Sequence, residues 1–569
     1  MLKGIGVATG FGSAPAIRYI VEEIKIPAHQ CASIEKEIQL FLNARDTVKE
    51  NNKNYCKAAM LRTGAQEAAI FEAHIMMLED DDSLIIPITD AIREGKNAAA
   101  AVDCIFSVLI EMMLSAQDEL LAQRAADFKD LRDQLLEVIL DIKKIDLSNL
   151  ETDSVIICKE LAPSDTIRMD IGHISGIVCE EGGVTSHTAI IAKAMGLPAI
   201  VACKGILSQA KDQDLIQMDS GSGEVWINPS AEEKASFFLK VEAFQEENQA
   251  LQKYKDRKSL TKDGKQVSIC ANIAQPDECA FAVDCGCEGV GLFRSEFLYI
   301  DKDCLPSEAE QFEAYKKALE LAQGRPVTIR TLDAGGDKKM PLLTNSKEEN
   351  PFLGYRAIRI CLDNPEMFKA QLRALLRASV YGNLRIMFPM ISSFEELYHA
   401  KAILNEVKDE LRNESIPFDE DVQVGMMIEI PSTAVMADEF AKEVDFFSIG
   451  TNDLVQYTLA VDRGNPQIAR LYSHYHPAVF RLIKMTIEAA HRNGIYCCMC
   501  GEAAGDLEFI PVLLGLGLDS FSMSAPTILK ARKLMEGLSS IDCEALCQQL
   551  LTARSIGEMK VMVDEAIKI

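Results

Sequence analysis

Several apolar runs in the second half of this chain stop at a residue that can do chemistry. Phe293 is followed by Arg294, Ile329 by Arg330, Ile428 by Glu429 and Met499 by Cys500, and Gly450-Thr451-Asn452-Asp453 closes another run with an amide and an acid. Arginine presents a planar fork of donors that matches carboxylate and phosphate oxygens two at a time. Arg294 and Arg330 would clamp a substrate with two or three negative charges, and Arg356 in "PFLGYRAIR" and Arg463 in "VDRGN" would extend the clamp. Glu429 and Asp453 are oxygen ligands of the kind that hold Mg2+ together with substrate oxygens. Asn452 offers a neutral hydrogen bond beside that metal. Cys500 is a proton donor as a thiol and a nucleophile as a thiolate. Arginines and a divalent cation around an anion point to phosphoryl transfer, where catalysis is mostly positioning and charge neutralisation. They do not identify the phosphate donor.

A second stretch, "EGGVTSHTAIIAK" at residues 181–193, places one of only eight histidines behind a Gly-Gly turn and ahead of an apolar helical pattern. Neutral imidazole is a good nucleophile towards phosphorus, and an ordinary histidine is largely unprotonated at neutral pH. Gly182 and Gly183 let the backbone turn tightly and approach an anion. A helix starting near His187 offers unpaired N–H groups and the positive end of its dipole, and Thr185 or Ser186 supplies a cap. A capped helix with a buried histidine is the plainer alternative.

These residues need a scaffold. Residues 1–20 read as a short strand with a Gly-rich loop. Residues 30–143 are nearly free of Pro and Gly, and apolar residues recur at helical spacing, as in Phe71, Ile75, Leu78 and Leu131, Leu135, Val138. Short β runs return over 153–228, and a charged, Gly-free segment from 230 to 257 reads as one connecting helix. The remaining chain alternates β and helical patterns, with strands expected near Val267, Gly289, Val327, Leu384, Gln423, Asp445, Ile495 and Ser520. Eight such runs argue for a (β/α)8 barrel, whose active sites lie at the C-terminal strand ends, where the charged residues stand. An open doubly wound sheet is the alternative.

The net charge of −27, from 59 basic and 86 acidic residues, argues against a nucleic-acid or anionic-membrane surface and suits a basic protein partner. The 17 cysteines are scattered and several lie in apolar runs, as free thiols do in a reducing compartment. Cys285-Gly286-Cys287 and Cys497-Cys498-Met499-Cys500 lack a second pair at zinc-site spacing. No run approaches the roughly 20 apolar residues of a membrane span, and the N-terminus lacks a signal-peptide core, so a cytoplasmic protein is expected.

"GGVTSHTAIIAKAMGLPAIV" resembles the phosphohistidine signature of the phosphoenolpyruvate-utilising enzymes. "GLFRSEFLY", "IRTLDAGGDKKMP", "NPFLGYRAIRI", "GMMIEIPS", "FFSIGTNDLVQYTLAVDRGN", "MCGEAAGD" and "FSMSAPTI" resemble, in order, the barrel motifs of the enzyme I branch, the phosphoenolpyruvate–protein phosphotransferases of bacterial sugar uptake. "AIFEAHIMMLEDDDSL" and "QRAADFKDLRDQLL" resemble the helical insert of that branch. The resemblance implies a multidomain α/β protein. Residues 1–20 plus 145–229 would form a swivelling phosphohistidine domain, and 21–144 a helical domain that binds the phosphocarrier protein HPr. Residues 230–259 would be a linker helix, and 260–569 a barrel that binds phosphoenolpyruvate and forms a homodimer.

The resemblance also assigns roles. His187 would be phosphorylated on Nε2, and Cys500 would protonate the methylene carbon of enolpyruvate. Arg294 and Arg330 would bind the phosphate, Asn452, Asp453 and Arg463 the substrate, and Glu429 and Asp453 Mg2+. Lys338 and Arg356 match motif positions near the substrate. His74, Met76, Met77 and Leu78, flanked by Glu79 to Asp82, would form a docking face with Arg124 nearby, core packing being the alternative for its apolar members. The linkers near 21–29, 144–150 and 229–260 would let the histidine travel. Two positions depart from the family's pattern: Val184 replaces a basic or polar residue, and Ala202 replaces a glycine. A dikinase-type relative would need an ATP-binding domain ahead of the first β run, and a purely regulatory homologue would not need the intact histidine, acids and thiol. The sugar branch is expected over the nitrogen-regulatory one, which commonly carries an N-terminal sensory domain.

Overall fold

The computed structural model describes residues 1–567 except 9, 21–23, 25, 28–32, 63–64, 116–118, 143–146, 148–149, 151, 170, 184–185, 187, 190–191, 193–195, 300–303, 336–347, 464 and 466. The chain divides into two compact units, Met1–Phe244 and Gln245–Ile569. Among the described residues no helix is long and apolar enough to cross a membrane.

The first unit is built on a mixed sheet. Its strands are β1 (Leu2–Lys3), β2 (Ile5–Ala8), β3 (Phe11–Tyr19), β4 (Ser154–Cys158), β5 (Ile174–Cys179), β6 (Ala199–Val201), β7 (Leu215–Asp219) and β8 (Glu224–Ile227). They lie in the order β1-β8-β7-β3-β4-β5-β6-β2, with β3 to β6 mutually parallel. The all-apolar look of "VIIC" in β4 has a physical reason, since both sheet faces are covered. Val155 and Ile157 enter one core while Ile156 and Cys158 enter the other, and β5 and β6 alternate in the same way.

Between β3 and β4 the chain leaves the sheet to form five helices: α1 (Ile34–Arg62), α2 (Ala65–Leu78), α3 (Ile86–Arg93), α4 (Ala98–Ser115) and α5 (Glu119–Leu140). Phe41, Leu78, Ile88, Ile92, Val102, Phe106, Leu131 and Leu135 fill their common core. Val138, expected on the same face as Leu131 and Leu135, is 37% exposed, and Leu136 is buried instead. The inward stripe of α5 has rotated past Val138 by that last turn. Asp130 ties α5 to the α/β part, accepting from Ser164 Oγ at 2.6 Å and from Ser164 N at 3.2 Å.

The expected connecting helix is present as Ala231–Gln252, shorter than the 230–257 reading. Beyond it Arg532, 2% exposed, donates to the carbonyls of Tyr254, Lys255 and Gly286 and to Ser259 Oγ, fixing the segment that enters the barrel.

The second unit is a closed barrel of eight parallel strands: β9 (Ser268–Ile273), β10 (Val290–Arg294), β11 (Val327–Arg330), β12 (Leu384–Phe388), β13 (Gln423–Ile428), β14 (Phe446–Ile449), β15 (Tyr496–Met499) and β16 (Ser520–Met523). Pairing of Ser520 to Met523 with Ser268 to Ala271 closes the ring and rules out the open sheet. Each strand starts within one residue of its expected position, because each is a short apolar run bounded by turn residues. Helices Glu308–Leu321 and Phe394–Asn413 begin with capping boxes at Ser307/Glu310 and Ser393/Glu396.

Two predictions follow from the first unit. Ala202, expected from the resemblance to be a glycine position, has φ 54°. An alanine there is strained by its Cβ, so Ala202→Gly should raise the stability of this unit by about 1 kcal/mol in urea titrations. Burial pushes the Asp130 carboxyl up to about 6, with the Asp165 charge adding and the Ser164 hydrogen bonds opposing. A carboxyl raised on folding contributes stability that is complete below its unfolded pKa and lost as pH rises through about 6. Relative to Asp130→Asn, the wild-type chain should therefore lose roughly 2–3 kcal/mol between pH 4 and pH 7.

Candidate active site

The C-terminal strand ends surround a cavity of about 290 Å3. It is lined by Arg294, Arg330, Arg356, Glu429, Asn452, Asp453, Arg463 and Cys500, which are eight of the residues singled out by type and position in the sequence. A neighbouring cavity of about 570 Å3 shares Arg294, Asn452 and Cys500 and adds His474. Arg294 and Arg330 end β10 and β11 and are register partners across the two strands. Glu429 follows β13 directly, Asp453 lies in the first turn of helix Thr451–Leu459 after β14, and Cys500 follows β15.

A chain of buried ion pairs sets the geometry. Glu296 pairs with Nη2 of Arg330, and Nη1 of Arg330 lies 3.1 Å from Asp333 Oδ2. Arg356 donates from Nε to Asp333 Oδ1 at 3.0 Å and from Nη2 to Asp333 Oδ2 at 3.2 Å. It also grips Asp453 with Nη1 and Nη2, both at 3.1 Å, and Nη1 reaches Tyr457 Oη at 3.1 Å. Arg330 is thus neutralised by two acids, whereas Arg294 is exposed and makes no ion pair among the described residues.

Glu429 is 1% exposed, and its Oε1 accepts the Met390 N–H at 2.6 Å. Met390 has φ 55°, a left-handed conformation that costs a non-glycine residue energy and here aims its amide at the carboxylate. Burial, then the charges of Asp453 and Asp333, push the Glu429 carboxyl up to about 8. Burial also pushes the Cys500 thiol up, against the pull of the Ser448 hydroxyl and of Arg330. Asn452 is held by Glu502, donating to its Oε1 at 3.3 Å and accepting from its N–H at 3.0 Å. Arg463 is hydrogen-bonded to Tyr472, whose hydroxyl donates to Asn452 O at 3.0 Å.

His187 and Lys338 lie outside the described residues, as does the side chain of Arg124. The frame around His187 is defined. Gly182 has φ 92°, Ser186 Oγ accepts from Ala189 N at 3.4 Å as a helix cap does, and Thr188 Oγ1 accepts from Leu161 N at 3.3 Å. Of the expected docking face, Met76 is 63% exposed, whereas His74 and Leu78 are buried, His74 against Asn52 Oδ1 at 3.1 Å. Met77 is half-buried.

Glu296, Asp333 and Tyr457 stand inside the quoted motifs without a role read from the sequence, and the Met390 amide has none either. Asp333 left one signal: it stands three residues after Arg330 in "RTLD".

Three family models match the chain: "PEP-utilising enzyme, PEP-binding domain" over residues 248–540, "PEP-utilising enzyme, mobile domain" over 150–223 and "PEP-utilising enzyme, N-terminal" over 3–124. The chain belongs to the PEP-utilising enzymes. Its relatives include the phosphoenolpyruvate-protein phosphotransferase of Staphylococcus carnosus (strain TM300), 44% identical over 100% of this chain and 99% of that protein. A protein of the same name from Priestia megaterium is 44% identical over 98% of this chain and 97% of its own length. In this PEP-utilising enzyme the whole ion-pair chain falls inside the PEP-binding match.

Asp333 is the joint between the two buried arginines, so its loss leaves Arg330 with Glu296 alone and Arg356 with Asp453 alone, and strands buried guanidinium donors without acceptors. Asp333→Ala should destabilise the barrel by about 3 kcal/mol or more in denaturant titrations, far beyond the effect of removing an exposed ion pair.

Proposed function

We propose that this chain is a phosphoenolpyruvate–protein phosphotransferase. It moves the phosphoryl group of phosphoenolpyruvate to His187, releases pyruvate, and passes the group on to a histidine of the carrier protein HPr. The observation that carries this reading is one cavity in which arginines, paired acids and a thiol converge, in a chain matched end to end by proteins of that name.

The geometry supports the following roles. Arg294, with no ion pair among the described residues, meets the phosphate, while Arg330, fixed by Glu296 and Asp333, presents a pre-oriented guanidinium beside it. Arg356 and Arg463 extend the positive lining, Asn452 adds a hydrogen bond, and Lys338 belongs to the same motif set. Cys500 gives its proton to the methylene carbon of the enolpyruvate left after phosphoryl transfer.

Glu429 and Asp453 fit Mg2+. Both are buried on one cavity, and the Glu429 carboxyl is raised by burial first and then by the neighbouring charges of Asp453 and Asp333. A Cβ at Gly450 would stand 2.9 Å from Glu429 Oε2, so glycine keeps that oxygen accessible. Two carboxylates completed by substrate oxygens and water are the usual ligand set of Mg2+. Bound there, Mg2+ supplies charge neutralisation for the anionic substrate.

His187 belongs to the first unit and the cavity to the second, so transfer requires the first unit to deliver its histidine. The helical segment is the docking region for HPr, with exposed Met76 in its apolar face, and the barrel is the dimer-forming part. The net charge of −27 suits a basic carrier and a cytoplasmic protein.

With phosphoenolpyruvate and Mg2+, the protein should yield pyruvate and an acid-labile phosphohistidine in equal amounts; a wild-type chain that forms neither would sink the proposal. His187→Ala should abolish the phosphohistidine and leave binding of oxalate, an enolpyruvate mimic, intact. Cys500→Ala should keep oxalate binding and slow pyruvate formation by roughly a hundredfold or more.

A further inference from the structure

The sulfur of Cys500 sits in an apolar cluster with Leu292, Met387, Met427 and Phe446. One hydroxyl reaches it: Ser448 Oγ–H donates to Sγ at 3.3 Å. Ser448 is fully buried, the third residue of β14, and the thiol is its hydroxyl's hydrogen-bond partner. The other polar atom near the sulfur is Ile449 O at 3.9 Å, which already accepts the Cys500 N–H at 3.1 Å. The backbone carbonyl of Cys500 is in turn fixed by Asn272 Nδ2 at 3.0 Å.

A buried hydroxyl in an apolar cluster needs a partner, and this one has a reactive sulfur. A hydroxyl is both donor and acceptor, so by rotating it serves a thiol and a thiolate alike. The surroundings otherwise give a thiolate little solvation. The charged and titratable groups that act on the sulfur are Arg330, Arg294, Glu429 and Cys498, so the two arginines help and the carboxylate opposes.

We propose that Ser448 is a positioning residue for the proton-transfer step: its hydroxyl aims the Cys500 thiol at the substrate carbon and steadies the thiolate that remains. This rests on the reading of Cys500 as the acid. The S–H bond breaks as a C–H bond forms at the methylene carbon, using the π electron pair of the enolate. The C–O bond of the enolate becomes the carbonyl of pyruvate, sulfur keeps its electron pair, and solvent water returns the proton.

Phosphoryl transfer precedes protonation, so the two steps separate the role. In single turnovers with phosphoenolpyruvate and Mg2+, Ser448→Ala should form phosphohistidine at a rate within twofold of wild type. It should form pyruvate at least tenfold more slowly, with oxalate affinity within twofold. Ser448→Thr, which keeps the hydroxyl on a strand that favours β-branched residues, should recover most of the pyruvate rate. An unchanged pyruvate rate in Ser448→Ala overturns the proposal. So does an equal slowing of both steps, or a Thr variant as slow as the Ala variant. Cys500→Ala run alongside separates the two readings. If it makes pyruvate at the wild-type rate, the acid itself is misassigned; if it is slow while Ser448→Ala is not, only the Ser448 proposal fails.

Discussion

Arg356 is 1% exposed and gripped from two sides, by Asp333 through Nε and Nη2 and by Asp453 through Nη1 and Nη2. A guanidinium that far from water is tolerable only when its donors find acceptors and its charge is matched. That requirement spreads outwards. Asp333 stands 23 residues before Arg356, and Asp453 stands 97 residues after it, so separate strand-to-helix connections must reach register together. Gly335 has φ 98°, and a Cβ on it would lie 2.9 Å from Tyr355 O, so the loop after β11 packs directly on the loop that carries Arg356. Ala357, the next residue, is held at φ 54°, strain of the kind that persists where surrounding contacts over-determine the backbone.

The same acids leave the cavity with an electrostatic imbalance. Arg330 and Arg356 are buried among Glu296, Asp333, Glu429 and Asp453, two more acids than bases. Full ionisation of that set is unfavourable, and at Glu429 the Asp453 and Asp333 charges add to the larger effect of burial in raising the carboxyl. Positive charge is welcome at Glu429 and Asp453, while at the rim Arg294 has no ion pair among the described residues and welcomes an anion. A site that separately asks for a cation and an anion is suited to a metal-assisted phosphate substrate. Asp453 serves both as counter-ion to Arg356 and as candidate metal ligand, since each carboxylate oxygen has more than one lone pair.

The barrel and its mouth were legible because their signals are local. An apolar run that ends in Arg294, Arg330, Glu429 or Cys500 can be read from a few neighbouring residues, and the rule that barrels work at their C-terminal ends does the rest. Asp333 and Ser448 were not legible in the same way. Their significance lies in partners fixed only when the barrel closes: Ser448 meets Cys500 across 52 residues, just past the end of the neighbouring strand β15. Helix faces were read less well than strand ends. Val138 and Leu136 differ by two residues, yet the first is exposed and the second buried. His74 looks like a surface histidine beside an acidic run, but a buried Asn52 draws it inward. Neither partner is visible at the spacing of one helix.

The first unit answers a different constraint. On the proposed function, a residue that carries a phosphoryl group must be accessible to two partners in turn, yet its backbone must be fixed well enough to meet each one in register. The frame of His187 reconciles these demands: Gly182 turns the chain in a conformation suited to glycine, Ser186 caps the following turn, and Thr188 ties it to Leu161. Ala189 and Ala192 then anchor the segment in the core beside β4 and β5. The five-helix insert shares this unit and is bonded to it through Asp130 and Ser164, so the insert and the segment around Ser186 and Thr188 belong to one folded body.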